Sequence, residues 1–277
     1  ACFLRPPASG LRPSNPSIVL TPKKRLGQHF LHDPNILGRI AEALEIQPGD
    51  TVLEIGPGPG GLTAQLYRRT DRLIAIEKDS DLVPTLRTRF PAMELIEGDA
   101  LDLDWHALTG PGPVLITGNI PYNITSPLLE LALTPPRPAR IVFLVQREVA
   151  DRVASPPGHR EYGALSVGVQ SVARVERLFT VPAGAFRPRP KVDSAVLRLT
   201  PLDAPLIGDQ DVAAFRRFVV GLFGFRRKQL GRGLRVLTDA PAETVQGWLG
   251  RAGLDPAFRP EVLSPADFVR LFRAATD

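Results

Sequence analysis

Apolar residues fall in short runs separated by polar turns. Val52, Leu53 and Ile55 form the first run, long enough for one buried strand. Arg72 to Glu77, Met93 to Asp99, Val114 to Thr117 and Ile141 to Val145 repeat the pattern, and Val175 to Val181 and Ser194 to Thr200 add two more. Helical spacing fills the intervals. Ile36, Leu37, Ile40, Ala41 and Leu44 share a face behind Asp33-Pro34, which reads as a cap and a first helical position. Further helices are predicted over Leu62 to Tyr67, over Asp81 to Phe90, after a Thr125 or Ser126 cap with Pro127 in the first turn, through Glu148 to Val153, and from near Tyr162 through Val169. Ser155 to Glu161 reads as a turn-rich, mobile connection. Strands alternating with helices predict an α/β fold: a Rossmann-like, doubly wound sheet with an antiparallel hairpin at one edge. After Pro201 the strand signal stops. Asp211 to Phe223, Lys228 to Leu237, Ala242 to Ala252 and Ser264 to Ala274 read as helices, punctuated by Pro241, Pro260 and Pro265. The predicted organisation is a basic leader over 1–22, an α/β domain over 23–200 and a small helical domain over 201–277.

Charge adds a partner class. The 277 residues carry 34 Lys plus Arg against 29 Asp plus Glu, an excess of 34 − 29 = 5. No acid precedes Asp33, and the leader is rich in Pro and Ser, so a disordered basic arm is expected there. An acid-poor start also fits an organelle transit segment, although no clean amphipathic helix accompanies it. From Arg216 to Arg235 seven bases stand without one acid, interleaved with Phe218, Phe223 and Phe225. One face can then pack while the other meets phosphates. The single cysteine, Cys2, excludes an internal disulfide and a cysteine metal cluster, and suits a reducing compartment. No apolar run approaches the ~20 residues of a membrane span.

The first strand runs into EIGPGPGGLT, residues 54–63. Strand, glycine loop and helix in that order make a nucleotide-binding turn. Gly56-x-Gly58-x-x-Gly61 fits the dinucleotide spacing, but Pro57 and Pro59 remove the amide donors a pyrophosphate would want. Glu54 is an acid at the strand end, hostile to phosphate and suited to a cation. A cationic ligand with an adenosine part, S-adenosylmethionine, satisfies both features. Glu77 closes the second strand 21 residues past Gly56, where an acid accepts bonds from ribose hydroxyls. Asp99 follows the third strand, placed to accept from an adenine amine.

The fourth strand leads into Asn119-Ile120-Pro121-Tyr122. This quartet suits an exocyclic amine on a flat base, whose nitrogen lone pair is delocalised into the ring. The Asn119 side-chain oxygen and the Ile120 or Pro121 carbonyl can each accept one amine hydrogen. Those bonds draw the nitrogen toward tetrahedral geometry and free the lone pair. Pro121 stiffens the backbone, and Tyr122 offers a ring for the base to stack on. A base inside a helix cannot reach such a pocket, so it must be unpaired or flipped. Phe186 is the candidate for the second ring, with Arg187, Arg189 and Lys191 placed to hold phosphates.

KKRLGQHFL, EIGPGPGGLT, GNIPYNITSPLL, LVQREVADRV and VPAGAFRPRPKVDSAVLRL together resemble the ribosomal RNA adenine N6-dimethyltransferases, nearest to the small-subunit (16S rRNA) group. The resemblance runs from about Lys23 to the C-terminus. It implies a class I methyltransferase fold, S-adenosylmethionine as donor and no metal. It also implies dimethylation of two adjacent adenosines in the 3′-terminal hairpin of small-subunit rRNA, within a 30S assembly intermediate, by a cytoplasmic monomer; a transit leader would place the enzyme in mitochondria instead. Motif matching puts Gln28, His29, Leu31, Gly56, Glu77, Asp99 and Asn119 in the donor site, with Gly58, Lys78 and Ala100 beside them. Asn119, Pro121 and Tyr122 serve the reaction, Tyr122 and Phe186 the base, and Arg226, Arg227 and Lys228 the RNA. Ile120 departs from the Leu frequent in the small-subunit group and is common in large-subunit rRNA methylases of macrolide resistance, whereas FGFRRKQLGRGLR looks like the small-subunit group. A large-subunit (23S) methylase and a non-catalytic nucleic-acid-binding assembly factor on the same fold are the alternatives.

Overall fold

The computed structural model describes residues 27–276; the leader expected over 1–22 lies outside them. In chain order the elements are β1 (Phe30–Leu31), α1 (Pro34–Glu42), β2 (Thr51–Ile55), α2 (Gly61–Leu66), β3 (Arg72–Glu77), α3 (Val83–Arg89), β4 (Glu94–Glu97), α4 (Trp105–Thr109) and β5 (Val114–Asn119). Then come α5 (Thr125–Ala132), β6 (Arg140–Gln146), α6 (Arg147–Ala154), α7 (Ala164–Gln170), β7 (Ala173–Val181), β8 (Phe186–Arg187) and β9 (Ser194–Pro201). Helices α8 (Val212–Phe223), α9 (Leu230–Thr238), α10 (Ala242–Ala252) and α11 (Pro265–Thr276) close the chain. The α/β class expected from the alternation is present, with parallel strands, an antiparallel edge and C-terminal helices.

Contacts divide the chain into two compact units, one of residues up to 121 with 183–191, the other of 122–182 with 192 onward. In the first, strand order is β4-β3-β2-β5, all parallel. Every residue of β2 is buried, Glu54 included, as expected of a parallel strand covered on both faces. Ile55 lies opposite Ile76 and Gly118 in the ladder. That register brings Gly56, just after β2, and Glu77 and Asn119, the last residues of β3 and β5, to one end of the sheet, where α/β folds bind ligands. Helix α1 begins as predicted: the Asp33 carboxylate accepts from the Asn35 and Ile36 amides at 2.9 and 3.2 Å.

Three features of this unit were not foreseen. Phe30–Leu31 and Phe186–Arg187 pair as a two-residue antiparallel ladder, too short to show alternation. Helix α4 follows a cap at Asp104. Helix α3 begins at Val83 rather than Asp81, with Pro84 in its first turn.

In the second unit β6, β9 and β7 are antiparallel, with an irregularity between Arg177 and Phe179. The cap expected from Thr125 or Ser126 is not made: Thr125 is itself the first helical residue and its hydroxyl turns back to the Tyr122 carbonyl at 3.4 Å. The boundary expected at 200/201 falls inside this unit, where aromatic rings pack α8 on α11 and Tyr162, in the lead-in to α7, packs on α8. Phe215 and Phe218 meet Phe272 at 5.6 and 5.7 Å, and Phe223 stacks on Phe268 at 5.5 Å. Tyr162 sets its edge on Phe223 at 6.0 Å and donates to the Leu263 carbonyl at 2.8 Å.

Candidate active site

The glycine loop is shaped by backbone angles and close approach. Gly56 and Gly58 have φ of +66° and +57°, the left-handed region that disfavours side chains. A Cβ on Gly58 would lie 3.1 Å from the Phe30 ring, whereas one on Gly56 would enter open space. That open space belongs to a slot lined by Phe30, Leu31, Glu54, Gly56, Leu62 and Asn119, among others, with a volume of about 30 Å³.

Glu54 lies inside that slot, fully buried, and its Oε2 has no partner among the described residues. Burial pushes its carboxyl up to about 8, reinforced by the nearby Glu77 charge and opposed by Thr63. A buried acid with an orphaned oxygen fits a small cationic group and rejects phosphate. The loop therefore suits the cationic end of S-adenosylmethionine.

The strand-end acids hold the loop. Glu77 accepts from the Gly58 amide at 2.9 Å through Oε2 and from the Asp79 amide at 2.8 Å through Oε1. Burial raises its carboxyl despite those bonds. Asp79 in turn accepts from Gln28 Nε2 at 2.8 Å. Asp99 pairs with Lys78 and accepts from the Leu101 amide at 3.0 Å; the lysine bond holds its carboxyl below the usual range. Ala100 is buried, and its carbonyl takes the Trp105 indole N–H at 2.8 Å.

Residues 28–32 close over the loop. His29 Nδ1 donates to the Pro188 carbonyl at 2.8 Å, which fixes the proton on Nδ1. Asn119 Nδ2 donates to the His29 carbonyl at 2.7 Å. That bond consumes an amide hydrogen and leaves Oδ1 without a partner among the described residues. Gln28, His29, Leu31, Gly56, Gly58, Glu77, Lys78, Asp99, Ala100 and Asn119 thus all stand at the carboxyl ends of the parallel strands or in the segment covering them.

The base-binding candidates separate. In the second unit Tyr122 is half-buried, its hydroxyl 2.9 Å from Ser194 Oγ. Burial and the Asp193 charge raise its phenol. In the first unit Phe186 is only 2% exposed, paired with Leu31. Arg187, Arg189 and Lys191 beside it are exposed. In the second unit Arg227 and Lys228 are exposed, but Arg226 bonds Glu261 at 2.7 Å and the Arg160 carbonyl at 2.7 Å. Ser194, Asp79 and Phe30 were not anticipated as site residues; each acts through a neighbour that sequence does not disclose.

A parallel sheet with a glycine loop, acids at successive strand ends and a buried cation-seeking carboxylate defines a class I methyltransferase using S-adenosylmethionine. Comparison with known proteins narrows the class. The family model described as ribosomal RNA adenine dimethylase matches residues 19–277. The ribosomal RNA small subunit methyltransferase A of Aromatoleum aromaticum is 42% identical over 90% of this chain and 92% of its own length. That of Xanthomonas campestris pv. campestris is 42% identical over 93% and 97%. Among solved structures, a dimethyladenosine transferase from Plasmodium falciparum superposes with a TM-score of 0.74 at 27% identity, covering 88% of this chain and 96% of that one. The 23S rRNA methyltransferase ErmE gives 0.69 at 28% identity, covering 90% and 100%. The chain belongs to the ribosomal RNA adenine dimethylase family, and it is an S-adenosylmethionine-dependent methyltransferase.

Proposed function

We propose that this enzyme transfers methyl groups to N6 of two adjacent adenosines in the 3′-terminal hairpin of small-subunit rRNA, two to each, during assembly of the 30S subunit. The observation that carries the chemistry is the Asn119–His29 bond, which holds the carboxamide with its oxygen as the remaining acceptor. The identity to small-subunit methyltransferases, 42% over nine-tenths of the chain, favours that target over large-subunit rRNA.

Glu54, Glu77 and the segment 28–32 hold the donor, which when bound supplies a methyl on a positively charged sulfur. Asn119 Oδ1 accepts one hydrogen of the target amine, and the Ile120 or Pro121 carbonyl accepts the other. The amine nitrogen's lone pair would then be free to take the methyl that the donor supplies, with the donor's sulfur as the leaving group. The amine proton leaves to water afterwards, because a neutral carboxamide is no base. Positioning and fixed dipoles supply the rate. Tyr122 stacks on the base, with its hydroxyl anchored by Ser194. Arg187, Arg189, Lys191, Arg227 and Lys228 hold the RNA, with the helices after residue 201 as the main RNA-binding part. The working form is a cytoplasmic monomer.

Purified unmethylated 30S and 50S particles, each offered with tritium-methyl donor, test the target. Label in 30S is expected. Label in 50S alone would place the enzyme with the large-subunit methylases, and label in neither would leave the fold to a binding role.

A further inference from the structure

One aromatic ring in the second unit faces solvent on a segment bonded to a basic stretch of chain. Phe258 is 45% exposed. It sits in the turn between α10 and the 3₁₀ turn Pro260–Val262. Three bonds fasten this segment to the start of α9: the Leu230 amide donates to the Phe258 carbonyl at 2.7 Å, the Gly231 amide to the Pro256 carbonyl at 3.1 Å, and Arg226 to Glu261 at 2.7 Å. Inside the turn, Asp255 accepts from the Ala257 amide at 2.8 Å. The ring is therefore presented from a fixed backbone.

The first amides of α9 are spent on these carbonyls, so the helix terminus offers no anion site. Positive charge comes from side chains instead. Arg227, Lys228, Arg232 and Arg259 are exposed, and none pairs with a carboxylate among the described residues. Lys228 leans over the Phe225 ring at 5.2 Å. The local acids are engaged, Asp255 in its own turn and Glu261 with Arg226. An exposed apolar ring next to Arg259, on a segment bonded to the start of α9 where Arg227, Lys228 and Arg232 are exposed, matches a ligand with a flat apolar face and flanking anions, which describes an unpaired nucleotide. A paired base exposes no face to stack on.

We infer that Phe258 is a stacking platform for an unpaired base of the rRNA, with Arg227, Lys228, Arg232 and Arg259 holding the phosphates around it. This rests on the rRNA-binding role proposed above for the helical part, and adds a base contact remote from the reacting adenine.

The test compares Phe258→Ala, Phe258→Trp and the double variant Arg227→Ala/Lys228→Ala for binding to unmethylated 30S particles across a salt series, and for melting temperature. Phe258→Ala is expected to weaken binding about 5- to 150-fold, the stacking worth of one base, with the salt slope of the parent because no phosphate contact is lost. Phe258→Trp is expected to keep the affinity, and its added emission, over the background of Trp105 and Trp248, to be quenched both by 30S particles and by protein-free small-subunit rRNA. The double variant is expected to lower both affinity and slope. Parent affinity in Phe258→Ala, or unquenched emission in Phe258→Trp, overturns the platform while the double variant still upholds the surface. Quenching by 30S particles alone assigns the ring to a protein and likewise overturns it. An unchanged double variant would overturn the rRNA reading of this surface itself.

Discussion

Asn119 Nδ2 donates to the His29 carbonyl at 2.7 Å, joining the end of β5 to a segment 90 residues earlier in the chain. The bond selects one orientation of the carboxamide, because only its NH₂ side can face a carbonyl. Asn119→Ala removes both the acceptor and this tie. Transfer is expected to fall about 10²- to 10³-fold, the usual loss for one fixed dipole, with 30S affinity nearly unchanged. Asn119→Asp should fare no better, since a carboxylate repels the His29 carbonyl. Tritium-methyl transfer and filter binding on the same preparations separate the two effects.

Glu54 predicts a pH dependence. Its carboxyl is raised from 4.5 to about 8 in the free protein. The folded state therefore holds a proton that the unfolded chain has released. Stability is fully present below pH 4.5 and declines as pH rises to about 8, by at most about 1.4 kcal/mol per unit. Glu54→Gln should flatten that decline in urea titrations. A cationic donor favours the ionised form, so donor binding below pH 8 should release a proton. Calorimetry in buffers of different ionisation enthalpy reads that release, and Glu54→Gln should abolish it.

The two loop glycines should respond differently. Gly56→Ala and Gly58→Ala both pay for a left-handed backbone, about 1–2 kcal/mol each. Only the second also pushes on Phe30, 3.1 Å from the added carbon. Gly58→Ala should therefore melt lower than Gly56→Ala. Gly56→Ala fills the open slot and should lose donor affinity out of proportion to its stability.

Tyr162 and Arg226 serve the fold. Tyr162 is buried, with its hydroxyl on the Leu263 carbonyl. Tyr162→Phe strands that carbonyl and should cost about 1–3 kcal/mol in chemical denaturation, with kcat unchanged. Arg226→Ala should lower the melting temperature, because it breaks the bonds to Glu261 and Arg160. Arg227→Ala should leave the melting temperature alone and weaken rRNA binding.

Local signals made most of this legible. Apolar runs located the strands, Asp33-Pro34 located α1, and the glycine loop with Glu77 and Asp99 pointed to the strand ends where a donor is proposed to bind. Partners distant in sequence stayed hidden. Nothing in KRLGQHFL announces that Phe30 and Leu31 pair with Phe186 and Arg187, because two-residue strands carry no period. The burial of Phe186 and the capture of Arg226 by Glu261 are tertiary outcomes. In the run FRRK three bases look equivalent, and only packing turns one inward. The boundary at Pro201 followed a change of element type, whereas compactness follows contacts across it such as Tyr162 on Phe223.

The central claim is that the Asn119 quartet serves an adenine amine. Unmethylated 30S particles are incubated with enzyme and labelled donor, and the rRNA is digested to nucleosides for chromatography. The account predicts label in N6,N6-dimethyladenosine, absent when Asn119→Ala replaces the enzyme. Label in any other nucleoside, or equal dimethyladenosine from the variant, would contradict it.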